Sequence, residues 1–476
     1  MPEKKGVYKS LSDLIRSTFG FPLEMAGFLE WITNRWGISR GLTLWIFYAG
    51  LFWVLSLQIP HIWFFSLTWL VGTTPLWLIV GLYYAALSSW IWYIQSLYLA
   101  GRDPVLLEVK MPREINRSPR AMELALTVFN ISSGETTPLQ RGWLGSLRPF
   151  WSLEIASFGG EVHFYIWTWR SWKNTVEATI YSYYPECELH EVEDYAMKFR
   201  YDPDVYQSFI TDFRRETFNG KVANNDDFRI NAYPIRTYVD FELDKDPKEE
   251  FLVDPLASVI EFMGSIPPGD EMWLQIVIRM TGLQGIYWTG DEGGKWRRMM
   301  LKEMELLRIE SGTLTGEIPV SEERARILRP RATLEQQQRA ESMGRNVAKW
   351  PYDVGMRGIW WTKGELQSQF YNGLRWMWRP VGNPFHTTQL RPRRWHNPFD
   401  YPWQDFHDIR WNLHTRRGLD AYRRRLFFHS PWRIPYNIMT GEEIATIWHP
   451  VSGAVATPGI QRIPATKAAP PPNLPK

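Results

Sequence analysis

The sequence predicts an α+β protein anchored in a membrane. Two N-terminal transmembrane helices precede two ferredoxin-like units of β-α-β-β-α-β order, and an irregular Arg/Trp-rich tail follows. Three observations predict this. Leu42 to Leu99 contains no Lys, Arg, Asp or Glu. From Asp103, short β-rich runs alternate with helical ones. From Arg379 to Arg433 there are eleven Arg against four Asp and no Glu, whereas the whole chain of 476 residues carries a net charge of only +3.

An apolar stretch of roughly 18 or more residues reads as a membrane span, because only a helix satisfies its own backbone inside lipid. Residues 42–99 are long enough for two such helices. Pro60, His61 and Pro75 divide them into Leu42–Ile59 and Leu76–Leu99, and His61–Thr74 reads as interfacial or re-entrant. A buried core hairpin is the competing reading. Trp45, Trp53, Trp63, Trp69, Trp77, Trp90 and Trp92 suit membrane interfaces.

Lys4, Lys5, Lys9, Arg16, Arg35 and Arg40 precede the run. Arg102, Lys110, Arg113, Arg117 and Arg120 follow it, and the connection has neither Lys nor Arg. Positive flanks stay inside, so both termini and the soluble body are expected in the cytoplasm, at the inner membrane. The run starts too late for an ordinary signal peptide. The single Cys187 excludes an internal disulfide and fits a reducing compartment. Residues 1–41 space Leu11, Leu14, Ile15, Phe19, Leu23, Phe28 and Ile32 as a broken amphipathic helix. It suits a membrane surface or packing on the soluble body.

The first unit, 103–195, opens with a strand at Val105–Lys110. Ser118 and Pro119 start a helix as N-cap and N1. Trp151–Ala156 and Glu161–Thr168 form a hairpin about Phe158-Gly159-Gly160. A helix from Ser171 to Tyr184 ends at Pro185, and Glu188–Val192 is the last strand. This is the split β-α-β arrangement. A second, elaborated copy is assigned to 196–378. Arg229–Pro234 leads into a strand at Thr237–Glu242. Asp254-Pro255 repeats the cap, and Met272–Ile278 echoes Trp151-Ser-Leu-Glu-Ile155. A charged helical insertion spans Ser321–Lys349, Tyr352–Trp361 is strand-like, and Glu365–Trp376 closes the unit. Residues 379–464 read as an irregular extension in which Thr440-Gly-Glu-Glu443 is a capping box for a short helix ending near His449. Residues 465–476 are a Pro-rich tail.

Few residues point to catalysis. Thr289-Gly-Asp-Glu-Gly-Gly-Lys-Trp296 lacks the first Gly and the magnesium-binding hydroxyl of a phosphate loop and reads as a Gly-rich turn. His396, His407 and His414 lie near Asp400, Asp405 and Asp408, without the fixed spacing a metal site needs, and read as a solvated loop. The chain shows no Gly-x-Ser-x-Gly elbow, His-Glu-x-x-His or Cys–His pair. No catalytic residue, cofactor or metal is expected.

The Arg-rich tail offers contact candidates instead: Arg391, Arg393, Arg394, Trp395, Arg416, Arg417, Arg423, Arg424 and Arg425. Arg interleaved with aromatics suits a partner protein's carboxylates, lipid headgroups or nucleic-acid phosphates. The competing reading makes Arg416–Arg425 one face of an amphipathic helix whose Leu413, Leu419 and Tyr422 point inward. Glu191, Glu193 and Asp194 are the acidic contact candidates.

Several stretches resemble a family of uncharacterised membrane-anchored proteins from candidate-phylum (patescibacterial) genomes. They are Val105-Leu-Leu-Glu-Val-Lys-Met-Pro-Arg-Glu114, Trp151–Ile155 with Val192-Glu-Asp-Tyr195, Asp353–Ile359, Ala421-Tyr-Arg-Arg-Arg425, Thr440–His449 and Pro470–Pro475. The body also resembles the front, non-motor part of type IV secretion and conjugative-transfer ATPases. The resemblance covers nearly the whole chain and carries over no catalytic motif. It implies a non-enzymatic inner-membrane scaffold that docks a separate translocation ATPase or assembles with copies of itself. The rival expectations are a membrane-tethered nucleic-acid-binding protein feeding such a machine, and an enzyme whose site is not legible.

Overall fold

The computed structural model describes residues 40–59, 61–112, 115, 117–131, 134–135, 137–217, 228–245, 254–282, 292–310, 333–386, 388–393, 395–396, 402–451 and 462–463. The amphipathic segment expected in 1–39, Arg394 and the Pro-rich tail lie outside them. Contacts divide the chain into two units, Met1–Leu87 with Asn397–Trp411, and Ser88–His396 with Asn412–Lys476.

Two helices, α1 (Arg40–Gln58) and α2 (Ile62–Ala100), are long and apolar enough to cross a membrane, and their apolar windows are not buried in the protein. The interfacial segment expected at His61–Thr74 and the helix start at Leu76 are corrected: α2 runs unbroken through Pro75. A proline removes one backbone donor and crowds the preceding turn. Here the hydroxyls of Thr73 and Thr74 donate to the carbonyls of Trp69 and Leu70, at 2.8 and 2.7 Å. These bonds add acceptor contacts in the turn just before the proline, and the carbonyl whose backbone donor the proline removes is that of Val71. Between the two helices His61 has a positive φ.

In chain order the larger unit continues with β1 (Pro104–Pro112), α3 (Arg120–Val128), α4 (Pro138–Gly142), β2 (Phe150–Phe158), β3 (Glu161–Trp169), α5 (Lys173–Tyr183), β4 (Glu188–Val192) and α6 (Tyr195–Lys198). Then come β5 (Gln207–Thr217), α7 (Pro255–Gly264), β6 (Glu271–Met280), α8 (Glu292–Glu310), α9 (Leu334–Val347), β7 (Pro351–Thr362), α10 (Ser368–Trp376) and β8 (Thr388–Arg393). The last elements are α11 (Ile409–Arg423), β9 (Asn437–Thr440), α12 (Gly441–Ile447) and β10 (Arg462–Ile463).

Local chemistry sets several of these boundaries. The β2–β3 hairpin turns on Gly159 and Gly160, both at positive φ as a two-residue loop of this kind requires. A side chain at Gly160 would also strike the carbonyl of Gly264 at 2.9 Å. Asp254 caps α7 by accepting from the Leu256 amide at 2.8 Å, with Pro255 at the first position, as expected. Helix α3 begins one residue later than expected, with Pro119 in the cap position.

The strands form one sheet in which β4, β1, β3, β2, β6, β7, β5 and β8 lie side by side, each antiparallel to its neighbours. The order is repeated. The first four strands lie fourth-first-third-second, and β5 to β8 do the same in mirror sequence along the sheet. The halves meet where β2 runs antiparallel to β6, with Glu154 opposite Gln275 at the centre of a nine-residue ladder. This register is that of an approximate two-fold axis through the Glu154–Gln275 pair.

The second copy is displaced from its expected place. Thr237–Glu242 forms turns, and Phe228–Ala232 is a 3-10 helix. The strand that opens the repeat is β5, and the one that closes it, β8, comes from the stretch expected to be irregular. The reason is charge: Asp212, Arg214, Arg215 and Glu216 are all buried in β5, and such a run reads as solvent-facing. Helix α8 was not expected at all. Of the charged insertion, α9 covers the C-terminal part, and 311–332 lie outside the described residues.

One sheet face is apolar. Leu107, Ile166, Leu153, Ile276 and Met356 form one cross-strand row, and Val109, Phe164, Ile155 and Leu274 another. Helices α3, α5, α7 and α10 cover it, and α12 lies between α3 and α7 with all seven residues buried. The expected capping box at Thr440 and Glu443 starts α12. The opposite face is covered by residues 395–396 and 412–436.

Candidate functional site: a charged sheet face and an arginine-lined cavity

Residues directly opposite on neighbouring strands point to the same face. The ladder therefore aligns His190, Glu108, Tyr165, Glu154, Gln275, Arg357, Asp212 and Arg393 in one row across both halves. The middle of this row is buried and its side chains bond one another. Gln275 Nε2 donates to Glu154 Oε1 at 3.2 Å, and Arg357 Nη1 donates to Gln275 Oε1 at 3.4 Å. Arg357 Nε donates to Asp212 Oδ1 at 2.8 Å.

The C-terminal segment closes the network from above. Arg425 donates from Nε and Nη2 to the two carboxylate oxygens of Glu154, at 2.9 and 3.1 Å, and from Nη2 to Asp194 at 3.1 Å. Tyr195 donates to Glu154 Oε2 at 2.7 Å, and its hydroxyl meets that of Tyr422 at 2.7 Å. Trp395 Nε1 donates to Asp212 Oδ2 at 2.7 Å, and the Arg357 guanidinium lies 4.6 Å from the Phe427 ring. Burial pushes both tyrosine hydroxyls well above the ordinary range, and Glu154 adds to it. Burial alone would lower Arg425, but Glu154 and Asp194 outweigh it and raise it. The Glu154 carboxylate accepts from Ser152, Tyr195, Gln275 and twice from Arg425, and that of Asp212 from Arg357 and Trp395, so these carboxylates are held by donors within the protein.

Beside the network opens a cavity of about 450 Å³. The C-terminal turn of α2, the end of β3 at Trp167 and Trp169, and Arg423, Arg424 and Leu426 line it. Arg102 sits at its edge, donating to the Tyr98 hydroxyl at 2.6 Å with its guanidinium 5.3 Å from the Trp169 ring. Arg423 donates to the carbonyls of Ala196, at 2.9 Å, and Phe199. Burial lowers its pKa. Arg424 pairs with Asp420 at 2.8 Å. Arg102 and Arg423, bonded to neutral groups beside aromatic walls, are the cavity's groups suited to a carboxylate or phosphate, and Asp194 and Asp420 on the same lining offset part of their charge. Neither histidine nor cysteine is among the described residues that line the cavity.

The expected contact residues separate into three sets. Arg425 and Trp395 are buried in the network, so their assignment to an outer contact surface is corrected: each has a carboxylate to neutralise inside the fold. Arg391 and Arg393 lie near Glu216, at 3.8 and 2.6 Å. Arg416, Arg417 and Arg424 are exposed on or just beyond α11. Among the acidic candidates, Glu191 pairs with Arg170 and Lys173 at 2.9 and 2.6 Å, and Glu193 pairs with Lys198. Asp194 caps α6 and binds Arg425.

Of the phosphate-loop lookalike, Thr289 to Asp291 lie outside the described residues, and Glu292 to Lys295 begin α8. Buried Trp296 donates to the Asn231 carbonyl at 3.2 Å. Among the described residues no group of three His, Cys, Asp or Glu is placed to hold a metal. His396 accepts from the Ile210 amide at 3.0 Å, and His414 meets the Trp395 carbonyl at 2.7 Å.

Sequence reasoning missed Glu154, Gln275, Arg357, Asp212 and Tyr195. A signal for the first two existed: Leu153-Glu-Ile155 and Leu274-Gln-Ile276 are the same three-residue pattern placed on the two-fold axis. Compared with protein-family models and with curated proteins, the chain matches none.

Proposed function

We propose that this protein is a non-enzymatic, membrane-anchored scaffold, a platform subunit of a type IV secretion or conjugation-like translocation machine. In this reading α1 and α2 cross the inner membrane and both termini lie in the cytoplasm. The two halves of the larger unit are ferredoxin-like repeats, which the repeated fourth-first-third-second strand order supports. The platform docks a separate ATPase or a second copy of itself.

One observation carries the reading. A 39-residue uncharged helix, α2, leads directly into a duplicated sheet whose central charged groups are engaged with one another. A helix left exposed along an apolar window is suited to lipid, and the elements that cover a double-width sheet give a broad outer surface on which a partner can dock. The resemblance to the non-motor part of translocation ATPases supports the choice of machine.

The test is a search of the neighbouring genes for a motor ATPase and co-expression of the full chain with the one found. The scaffold reading expects membrane association that resists alkaline carbonate and retention of the motor on the detergent-solubilised chain. It also expects cytoplasmic signals from reporters at Lys5 and Lys476. ATP hydrolysis by the chain alone, abolished by Lys295→Ala, would overturn the non-enzymatic assignment. Tight DNA binding at physiological salt would favour the nucleic-acid reading, because purely phosphate-driven affinity falls steeply with salt.

A further inference from the structure

The loop around α4 holds three large apolar side chains away from the protein: Leu139, Trp143 and Leu144 are 60%, 69% and 58% exposed. Their exposure is built into the loop. Thr137 and Gln140 close a capping box at its start, with both bonds at 3.2 Å. At the other end Arg148 donates to Glu135 at 2.8 Å and to the Met280 carbonyl at 2.6 Å. The loop also grips α2. Trp90 Nε1 donates to the Gly142 carbonyl at 2.8 Å, and the Trp90 and Trp143 rings meet edge to face at 5.7 Å. Gly145, at positive φ, packs so closely on the α2 backbone that a Cβ there would lie 2.4 Å from the Ile94 carbonyl oxygen.

The apolar tip is therefore continuous with the apolar surface of α2, where Tyr93 and Leu97 are also exposed. Residues 137–147 carry one charge, Arg141, and it is buried. A 39-residue helix is about 58 Å long. It outruns a hydrocarbon layer of about 30 Å, so its C-terminal third belongs at or beyond the headgroups. Tryptophan is favoured at that level.

We propose that the α4 loop is an interfacial membrane contact. Leu139, Trp143 and Leu144 enter the headgroup region beside Trp90 and Tyr93 and fix the depth at which the soluble body sits. The proposal rests on the reading of α2 as a membrane span. Its test keeps the two apart.

Full-length protein in phosphatidylglycerol/phosphatidylcholine vesicles is labelled with an environment-sensitive fluorophore at one introduced thiol. The sites are Leu144→Cys, Leu139→Cys, Trp77→Cys and, as an aqueous control, Val205→Cys. Native Cys187 is buried with its thiol pushed up to about 12, chiefly by burial, so the unmutated chain should take up no dye. Lipids carrying a quencher near the headgroup should quench positions 139 and 144 several-fold more than 205, and deep quenchers should quench position 77. Quenching at 77 with 139 and 144 matching 205 would overturn the interfacial loop and leave the span intact. No quenching at 77 would overturn the span and the loop with it. Shielding of 139 and 144 from both lipid and aqueous quenchers would show a protein cover, such as a second copy, and also overturn the proposal.

Discussion

The two faces of the central sheet are built by opposite means. On the helix-covered face the rows are Leu, Ile, Val, Phe and Met, and the helices that cover them are, α12 apart, drawn from the connections between the strands. On the other face the same strands present Glu154, Gln275, Arg357, Asp212, Arg279 and Asp353. Their cover arrives from the far end of the chain: Arg425 reaches Glu154 across 271 positions of sequence. Apolar burial is non-directional and tolerates small shifts. A buried ion pair contributes only when its geometry is right, and a lone buried charge is strongly destabilising. The helix-covered face thus specifies that the sheet packs. The charged face specifies which segment packs on it and in what register.

The sharpest break of this contrast is charge reversal at Arg423, Arg424 and Arg425. If these side chains served only an outer partner, the Glu variant would remain folded. Arg425 instead lies against Glu154 and Asp194, so a third carboxylate there should detach the C-terminal segment. Removing one partner of such a pair costs about 3–5 kcal/mol, and reversal should cost at least that. The expected result is loss of protease resistance and of a cooperative thermal transition in the solubilised chain. Arg425→Met combined with Glu154→Gln and Asp194→Asn should recover much of the loss, because both carboxylates that faced the guanidinium are then neutral. A fully stable triple variant would show that the pairing is dispensable.

Glycines on β7 allow the faces to be compared on a single strand. A Cβ at Gly355 would meet the Phe427 ring at 2.2 Å, whereas at Gly358 it would meet the flexible tip of Leu374 at 2.8 Å. Overpacking typically costs about 1–3 kcal/mol. Gly355→Ala should fall at the upper end and, in a double-mutant cycle, be relieved by Phe427→Ala, which removes the Cγ and Cδ atoms that the new Cβ would strike. Gly358→Ala should fall at the lower end and be insensitive to that second change. Equal losses in thermal unfolding would mean that both covers yield alike.

The same contrast explains which parts of the fold were legible in the sequence. The first repeat was, because Val105–Lys110, the Gly159-Gly160 hairpin and Glu188–Val192 follow local rules of alternation and turn chemistry. The helix cap at Asp254-Pro255 and the capping box at Thr440 were legible for the same reason. Strand β5 was not, since a run containing Asp212, Arg214, Arg215 and Glu216 looks exposed until Arg357, Trp395 and Glu443 supply partners from distant sequence. Nor was the interior role of Arg425, because the run Arg423-Arg-Arg425 holds an exposed, a half-buried and a buried side chain in three successive positions. The cavity escaped notice because its walls come from five separated stretches of chain.

Acid should also act unevenly on the two faces. His429 lies on the charged face, 6.1 Å from the Phe150 ring. Burial, aided by Arg279, pulls its pKa down to about 3. A histidine held neutral in the folded state stabilises fully above its unfolded value near 6.5, and that contribution is lost as pH falls toward 3. Glu135 beside it is held at about 2: burial opposes this, but Arg148 and Arg279 outweigh it. Its contribution is present above about 4.5 and fades below that. Thermal stability should therefore decline from pH 6.5 downward, by about 1 kcal/mol at pH 5.5 from His429 alone. His429→Gln should flatten the upper part of that slope and leave the part below 4.5. An unchanged slope between 6.5 and 5 would remove His429 from the account.

The smallest stability effect should come from the arginines left outside the network. Arg416 and Arg417 are exposed on α11, between about one and two turns before Tyr422 and Arg423 engage the core. Substitutions at such positions usually change stability by about 0.5 kcal/mol or less. Arg416→Glu with Arg417→Glu should leave the thermal transition and protease resistance unaltered, in contrast to the reversal at Arg425. Because the fold survives, any change in binding reports on the outer surface alone. The scaffold reading expects the double variant to lose the co-expressed motor ATPase while remaining in the membrane fraction. Duplex DNA binding should be weak in both proteins and fall steeply between low and physiological salt. A double variant that keeps the motor would move the docking surface away from α11. One that loses tight DNA binding at physiological salt would place nucleic acid, in preference to a protein partner, on these two arginines.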